Sequence, residues 1–258
     1  MDLSIVIPVK NEAGNIAPLV AEIGAALDGR DVDYEIVYVD DGSDDATGAE
    51  IARLQVANAR LRVVTHARGC GQSAAIRSGV SAARAPWIAT LDGDGQNDPA
   101  DIPSLWQIAK AAPLAPPLLI AGHRARRQDN WSKRHASRIA NAIRRAMLHD
   151  DTPDTGCGLK LFPRALFINL PYFDHMHRFL PALVLREGGL VRSLPVNHRP
   201  RERGASKYGV FDRLWVGIAD LFGVMWLCRR RSVPLVSEAV ATAPAAARPA
   251  KVPADSVL

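Results

Sequence analysis

Three short polar clusters in the first half of the sequence carry side chains suited to metal and phosphate chemistry. They are Lys10-Asn11-Glu12, Asp40-Asp41-Gly42-Ser43 and Asp92-Gly93-Asp94. Asp92 and Asp94 can share a divalent cation with a diphosphate, because Mg²⁺ and Mn²⁺ favour one or two carboxylates together with phosphate oxygens and water. Such a cation would neutralise the charge that builds up on a departing diphosphate. A tight turn remains the alternative for the DGDG sequence taken alone.

Two further segments near these clusters suggest nucleotide binding. In the DDGS segment, one carboxylate could accept hydrogen bonds from a base or a ribose, and a capped turn is the alternative. The segment 69–74, with the sequence GCGQSA, matches a dinucleotide-binding fingerprint. That fingerprint normally follows the first strand of a sheet, whereas this copy follows the third predicted strand. The dinucleotide interpretation is therefore disfavoured.

The hydrophobic pattern of the first half predicts alternating strands and helices. Strands are expected at Leu3–Val9, Glu35–Val39, Leu61–Thr65 and Trp87–Leu91. Helices are expected at Asn15–Leu27, at Asp44–Val56 with Ser43 or Asp44 as the N-cap, and at Gln72–Ala83. Single helices between strands predict a mostly parallel sheet. The polar clusters then lie at the carboxyl ends of strands, where such sheets bind ligands.

The second half of the sequence is rich in basic residues. Residues 122–149 include eight arginines and lysines. Asp129 is the only acidic residue among them. Lys133–Leu148 is expected to be helical, with arginines on one face. A solvated helix face and an anionic ligand are both open interpretations of those charges.

A wide apolar stripe runs along residues 211–226 and is followed by Arg229, Arg230 and Arg231. The stripe predicts either a helix docked on the core or an interfacial helix lying on an anionic membrane at about 211–228. No run reaches the ~18 apolar residues that a membrane span requires. The alanine- and proline-rich segment 232–258 is expected to be a disordered tail that follows one folded domain over residues 1–231.

Composition sets mild limits. The 258 residues are 48 % hydrophobic and carry a formal net charge of +5, which permits a sizeable core and an anionic partner without identifying one. The three cysteines are far apart and fit no zinc or disulfide pattern.

The motifs taken together resemble glycosyltransferase family 2, with the GT-A type α/β fold. They are SIVIPVKNEAGNI, YEIVYVDDGSDDAT and IATLDGDGQNDP, followed by GHRARR, SKRHASRIAN, DTGCGLKLFPR and VNHRPRERGASKYG. The later motifs narrow the resemblance to polyprenyl-phosphate glycosyltransferases of the dolichol-phosphate mannose synthase type. The resemblance covers roughly residues 3–228.

The resemblance implies roles for individual residues. The residues expected to bind the substrates are Pro8, Val9, Asn11, Glu12, Asp40, Asp41, Gln72, Asp92, Gln96, Arg134 and Ser137. Those expected to act in catalysis are Asp94, Arg124, Asp154, Arg201 and Lys207. Asp92, Asp94 and Gln96 are expected to bind Mg²⁺ or Mn²⁺. The basic residues of the second half are expected near the phosphates of donor and acceptor, and Asp154 near the acceptor.

The function implied by the resemblance is a metal-dependent, inverting transfer of a sugar from a UDP- or GDP-sugar to a polyprenyl phosphate. The expected location is the cytoplasm, at the inner face of the membrane, with peripheral attachment and no nucleic-acid partner. Two alternatives remain. One is a family 2 transferase acting on a saccharide or lipid A hydroxyl with Asp154 as general base, and the other is a non-catalytic nucleotide- or lipid-binding member of the fold.

Overall fold

A mixed sheet forms the centre of the protein. The computed structural model describes residues 1–113, 115–124, 142–200 and 210–232, with the backbone alone for 210–216. The described strands are β1 (Leu3–Val9), β2 (Tyr34–Asp40), β3 (Leu61–Thr65), β4 (Trp87–Thr90), β5 (Leu118–Arg124), β6 (Lys160–Pro163) and β7 (Leu190–Val196). Their order is β3-β2-β1-β4-β6-β5-β7. All neighbours pair in parallel except β6, which is antiparallel to β4 and β5.

Helices cover both faces of the sheet. They are α1 (Ala13–Leu27), α2 (Thr47–Ala57), α3 (Gln72–Ala82), α4 (Ile102–Ala111), α5 (residues 142–148), α6 (Arg164–Asn169), α7 (Leu180–Arg186) and α8 (Val210–Arg229). Short 3-10 helices span Pro99–Asp101 and Met176–Arg178. One apolar cluster packs α1 and α4 on one face, and a second packs α3, α6 and α7 on the other. The predicted α/β class with a mostly parallel sheet is confirmed.

The strand register brings the polar clusters to one edge of the sheet. β1 and β2 pair Val9 with Asp40, and β4 pairs with β6 so that Thr90 lies opposite Lys160. Because β6 runs the other way, its first residue lies at the edge where β4 ends. β5 ends at Arg124 on this same edge. Residues far apart in the sequence therefore meet where β1, β2, β4 and β5 end and β6 begins.

The predicted strands and helices of the first half are confirmed to within a few residues at their ends, apart from one N-cap. Neither Ser43 nor Asp44 caps α2, which begins at Thr47 after Ala46 and has no side-chain cap. The Ser43 hydroxyl and the Asp44 carboxylate are instead engaged by Asn11. These short side chains bond another loop of the site, so the helix starts later than its local sequence suggests.

Helix α8 is docked on the core, as one of the two interpretations of its apolar stripe predicts, and its attachment to a membrane stays a prediction. Val224 is 1 % exposed, and Leu221 and Met225 pack on the core beside it. The side chains of Ile218, Phe222 and Trp226, by contrast, are 38 %, 55 % and 57 % exposed. One side of the helix is docked and another presents apolar side chains to solvent.

Candidate active site

Asp41, at the end of β2, organises the loop that follows β3. Its Oδ1 accepts from the Cys70 N–H at 2.8 Å and lies 2.7 Å from His66 Nδ1, while its Oδ2 accepts from the Gly71 N–H at 2.8 Å. Because an ionised carboxylate only accepts hydrogen bonds, His66 Nδ1 carries a proton that it donates to Asp41. The other ring nitrogen, Nε2, lies 2.9 Å from Ser78 Oγ. Burial alone would raise the pKa of Asp41, but these hydrogen bonds outweigh it and hold the pKa below its usual value.

This loop does not have the dinucleotide-binding arrangement. The N–H groups of Cys70 and Gly71, which would have to donate to a pyrophosphate, already donate to Asp41. Gly71, the residue before α3, has φ 92°. Side chains rarely allow this positive φ, so the backbone conformation alone explains a glycine here. The sequence GCGQSA therefore shapes a support for Asp41.

The PVKNE stretch connects the first two loops of the edge. Asn11, with φ 56°, donates its N–H to Ser43 Oγ at 3.0 Å and accepts from the Asp44 N–H at 3.0 Å. Glu12 accepts from Asn15 Nδ2 at 2.7 Å. Both predicted substrate-binding residues thus have positioning contacts in the protein, and their contact with a nucleotide stays a prediction.

Three other predicted substrate-binding residues surround these loops. Val9 is 3 % exposed and lies beneath Gly93, where an added Cβ would come within 2.3 Å of Val9 Cγ1. Pro8 lines a cavity described below. Asp40 is 5 % exposed and accepts from the Ser43 N–H at 2.9 Å, so it supports the turn that carries Asp41.

Asp92 and Asp94 follow β4 at the centre of the edge. Gln72 Nε2, from the start of α3, donates to Asp92 Oδ1 at 2.8 Å. The backbone at Gly158 passes directly against the same carboxylate, and an added Cβ there would lie 2.2 Å from Asp92 Oδ2. Asp94 Oδ1 accepts from the Gln96 N–H at 3.1 Å. Glycine is needed at position 158 for space, which the sequence alone did not reveal.

The electrostatics of this acid pair fit a divalent cation. Burial raises the pKa of Asp92 to about 6 and the charge of Asp94 adds to the rise, while Lys160, Arg124 and Gln72 oppose it. A bound cation would offset both the burial and the repulsion between the carboxylates. Hard oxygen ligands at a strand end suit Mg²⁺ or Mn²⁺.

A second group of possible metal ligands lies near the end of β2. Ligand atoms of Asp41, His66 and Cys70 all lie within 4.8 Å of one another. The hydrogen bonds of Asp41 to the loop account for both of its oxygens, and the proton of His66 Nδ1 points to one of them. The geometry of the group is therefore that of a hydrogen-bonded support.

Gln96 connects the acid pair to the segment before residue 201. Its backbone C=O accepts from the Arg199 N–H at 2.9 Å, and its Nε2 lies 3.4 Å from the Arg199 C=O. Arg199 in turn makes two hydrogen bonds to Glu22 of α1, at 2.7 and 3.0 Å. The chain that leads into the basic segment is thus held beside Asp94, and the metal-binding role of Gln96 stays a prediction.

Arg124 and Asp154 form a buried ion pair at the end of β5. Arg124 Nε donates to Asp154 Oδ2 at 2.6 Å and Nη2 donates to Oδ1 at 2.8 Å. Asp154 is 7 % exposed. Burial by itself would lower the pKa of Arg124, but its bonds to Asp154 outweigh this and raise the pKa. Sequence reasoning placed both residues in the site without predicting that they pair.

A cavity of about 380 Å³ opens beside Asp92, between the sheet and α3. Its polar side chains include three that sequence reasoning did not single out: Lys160, His177 and Arg178. Lys160 is 3 % exposed and its Nζ donates to the Cys157 C=O. The sequence offered one signal for Lys160, which is a lysine at the start of an apolar strand. A buried charge requires a nearby partner, so such a lysine indicates a polar site beside the strand.

His177 is tied to α3 by Ser73. Ser73 Oγ accepts from the His177 N–H at 3.3 Å and lies 2.8 Å from Nδ1. The hydroxyl proton therefore points to Nδ1, which leaves the ring proton on Nε2. Burial and the neighbouring cations lower the pKa of His177 well below its usual value, so the ring is a neutral hydrogen-bond donor.

Four predicted site residues, Arg134, Ser137, Arg201 and Lys207, lie outside the described residues. Of the other basic residues in the window 122–149, Arg144 is buried and paired with Asp150 at 3.2 Å. It is a structural contact, since it also donates to Thr155 Oγ1 at 2.6 Å.

A sheet of this order with an acid pair at its binding edge is typical of the GT-A type of fold. The profile of "Glycosyl transferase family 2" matches residues 4–170. The chain belongs to this family and is a glycosyltransferase.

Curated relatives match most of the chain. A dodecaprenyl-phosphate galacturonate synthase of Rhizobium johnstonii is 37 % identical over 91 % of this chain and 69 % of its own length. An undecaprenyl-phosphate 4-deoxy-4-formamido-L-arabinose transferase of Edwardsiella ictaluri is 34 % identical over 81 % of this chain and 63 % of its own length. The chain thus spans about two thirds of the length of each of these relatives.

Solved structures share the fold. Glucosyl-3-phosphoglycerate synthase of Mycobacterium tuberculosis, bound to phosphoglyceric acid, aligns with a TM-score of 0.61 at 19 % identity and covers 88 % of this chain and 79 % of its own. Another structure of that enzyme contains Mn²⁺, UDP-glucose and phosphoglyceric acid, with a TM-score of 0.59 at 18 % identity, covering 90 % of this chain and 81 % of its own. Among the described residues, no helix of this protein combines the length and hydropathy that crossing a membrane requires.

Proposed function

We propose that the protein transfers a sugar from a nucleotide-sugar to a polyprenyl phosphate at a membrane surface. The names of the two curated relatives support a polyprenyl-phosphate acceptor. The acid pair Asp92 and Asp94 supports a nucleoside diphosphate as leaving group, and these two carboxylates would hold Mg²⁺ or Mn²⁺. When bound, that cation supplies charge neutralisation for the departing diphosphate.

The Arg124–Asp154 ion pair is the observation that favours a phosphate over a hydroxyl as the acceptor. A hydroxyl acceptor needs a general base, and Asp154 is the acid expected near the acceptor. Its two oxygens are occupied by the guanidinium of Arg124 at 2.6 and 2.8 Å, so it is poorly placed to take a proton. A phosphate monoester is already ionised near pH 7, since its second pKa is about 6, and it needs no base.

The proposed reaction is a single displacement. A phosphate oxygen of the acceptor bonds to the anomeric carbon, the bond from that carbon to the diphosphate oxygen breaks, and the electron pair leaves with the nucleoside diphosphate. The configuration at the anomeric carbon inverts. Arg124, with the predicted cations Arg134, Arg201 and Lys207, reduces the repulsion between the two anionic groups.

The exposed side of α8 supports attachment to an anionic lipid surface. Ile218, Phe222 and Trp226 recur every four residues and present apolar side chains to solvent. Arg229 and Arg230 are exposed at the end of the same helix, and the Arg230 guanidinium lies 5.8 Å from the centre of the Trp226 ring. An apolar strip beside arginines matches an interfacial helix on acidic headgroups.

A radiolabelled transfer assay tests the proposed function. Purified full-length protein is incubated with UDP- or GDP-linked sugars, Mn²⁺ and either undecaprenyl phosphate or undecaprenol. We expect labelled lipid from the phosphate alone, its loss in EDTA or in Asp94→Asn, and full activity in the exposed control Lys110→Gln. Labelling of undecaprenol or of a saccharide hydroxyl instead, or no transfer from any donor, would overturn the proposal.

A further inference from the structure

We propose that Asp220 of α8 acts through His175 as a positioning residue for the acid pair, so that a lipid surface against α8 strengthens the binding of metal and nucleotide. This inference rests on the proposed function, because it assumes a lipid surface at α8 and a diphosphate at Asp92 and Asp94. It adds regulation to that function, since the surface that carries the acceptor also raises the affinity of the site for its donor.

A polar contact joins α8 to the segment that precedes the 3-10 helix Met176–Arg178. Asp220 Oδ2 lies 3.1 Å from His175 Nδ1. Both atoms are buried, and within the described parts of the chain neither makes a hydrogen bond to another group. Since a buried polar atom has lost its bonds to water, each of the two depends on the other for compensation. The contact should therefore persist as long as α8 keeps its position on the core.

Asp220 lies on the side of α8 that faces the protein. Two residues along an α-helix correspond to a rotation of about 200°, so Asp220 lies nearly opposite Ile218 and Phe222. Those two are 38 % and 55 % exposed, whereas Val224, one turn after Asp220, is 1 % exposed. The helix thus lies between the proposed lipid surface and His175. Lipid that holds the helix on its outer side also holds the Asp220 contact in place.

The backbone at His175 depends on restraints of this kind. Its φ of 65° is in the left-handed region, which side chains rarely adopt and which persists only where the surroundings fix it. The His175 C=O accepts from the Arg178 N–H at 3.0 Å, so His175 is the N-cap of the 3-10 helix Met176–Arg178. Loss of the Asp220 contact would let this backbone relax and shift the 3-10 helix that follows.

Hydrogen bonds continue from this 3-10 helix to the acid pair. His177 is joined to Ser73 Oγ by its backbone N–H at 3.3 Å and by Nδ1 at 2.8 Å. Gln72, the neighbour of Ser73 at the start of α3, donates to Asp92 Oδ1 at 2.8 Å. Gln72, Asp92 and His177 also line the same cavity. A series of short contacts thus connects α8 to a carboxylate of the acid pair, and such a series can carry coupling between two sites.

The coupling follows from the preference of each ligand for one arrangement of these contacts. A lipid surface that binds α8 in its docked position favours the arrangement with the Asp220 contact. The arrangement in which Gln72 holds Asp92 is the one expected to bind a diphosphate with its metal. Each ligand then raises the affinity for the other by the same factor, because the coupling of two binding equilibria is reciprocal.

Reciprocal binding measurements test the proposal. Full-length protein is titrated with UDP and GDP in turn at constant Mn²⁺, with and without liposomes of phosphatidylcholine and phosphatidylglycerol. The liposomes should lower the dissociation constant of the bound nucleotide by about fivefold or more. At the same Mn²⁺ concentration, that nucleotide should raise the affinity for the liposomes by the same factor, measured by cosedimentation.

Substitutions at the contact locate the coupling. Asp220→Ala and His175→Gly should each abolish the effect of the liposomes on nucleotide affinity, with the affinity in their absence little changed. Glycine suits the left-handed φ at position 175, so the second variant removes the ring without straining the backbone. Asp174→Ala is the matched control and should keep the full effect. It removes an exposed carboxylate of the same segment, one that lies beside the Tyr172 hydroxyl at 3.4 Å.

The outcomes separate this inference from the proposed function. Equal nucleotide affinity of the wild type in its free and liposome-bound forms would overturn the inference and leave the proposed function intact. The full effect in Asp220→Ala would show that the coupling bypasses this residue, and the assignment is then wrong. His175→Gly decides the question if Asp220→Ala fails to fold. Absence of binding to either nucleotide, or to the liposomes, would contradict the proposed function itself.

Discussion

The carboxylate of Asp154 and the guanidinium of Arg124 meet through two hydrogen bonds of 2.6 and 2.8 Å at the end of β5. The Arg124 N–H also lies 3.3 Å from Asp154 Oδ2. The pair fixes the direction of both side chains. Asp154 therefore positions the Arg124 guanidinium, which is the group that faces the phosphates in the proposed reaction. An acid that must accept a proton from a hydroxyl would be free of such a partner.

A double-mutant cycle tests that pairing. Arg124→Gln and Asp154→Asn should each lower kcat/KM with undecaprenyl phosphate by about tenfold or more, and the double variant should be little worse than Arg124→Gln, a coupling of roughly 1–3 kcal/mol. Complete loss of transfer in Asp154→Asn together with wild-type activity in Arg124→Gln would identify Asp154 as a general base instead.

Gly158→Ala tests the close approach of the backbone to Asp92. A Cβ at this position would lie 2.2 Å from Asp92 Oδ2, so the carboxylate must move away from the proposed cation. We expect Mn²⁺ affinity to fall by about tenfold or more and transfer to fall with it, measured by calorimetry and the lipid assay. Gly223→Ala is the matched control, because nothing lies within 4 Å of its added Cβ. Equal Mn²⁺ affinity in the two variants would contradict the site.

The stability of the metal-free protein should depend on Asp92 and pH. The pKa of this carboxyl is about 6 in the folded protein against 3.8 for the free side chain, so the folded state holds its proton more tightly. The protonated Asp92 therefore contributes to the free energy of unfolding at low pH, and this contribution is lost as the pH rises through 6. In EDTA at pH 7.5, Asp92→Asn should raise Tm by roughly 2–6 °C.

At pH 4 the gain from Asp92→Asn should largely disappear, because both proteins then carry a neutral group at this position. Thermal unfolding followed by circular dichroism measures both values. A variant that is less stable than the wild type at pH 7.5 without metal would show that the buried charge is not a cost.

Membrane attachment should depend on the exposed side of α8. Phe222 and Trp226 are 55 % and 57 % exposed, so Phe222→Ser with Trp226→Ser removes apolar contact with lipid and little of the core. Cosedimentation with liposomes containing anionic lipid should fall by about tenfold or more. Val56→Ser, at a 92 % exposed valine on α2, is the control. Unchanged cosedimentation of the double variant would refute the interfacial helix.

Much of the fold could be predicted from local sequence. The apolar runs of β1 to β4 and the spacing of the helices between them identify a parallel sheet, and the acids after β2 and β4 identify its binding edge. The pairing of β6 with β4 and β5 is antiparallel and joins distant segments, so no local period reveals it. The residue that starts β6, Lys160, was consequently missed.

The contacts within the site were harder to predict for the same reason. Asp41 is joined to His66 and to the loop after β3, and Asn11 to the loop after β2, across separations of 25 to 33 residues. The resemblance to a family names the residues of a site but not which of them bond each other. On α8, Val224 is the most buried side chain among residues 217–229, and it was not part of the predicted stripe.

The product of the reaction tests the central claim most directly. The purified protein is given a UDP-sugar labelled with ¹³C at the anomeric carbon, Mn²⁺ and undecaprenyl phosphate, and the lipid product is examined by ¹H, ¹³C and ³¹P NMR. We predict a ³¹P–¹³C coupling that places the sugar on the lipid phosphate, with the anomeric configuration inverted relative to the donor. A product without that coupling, or one with retained configuration, would contradict the account.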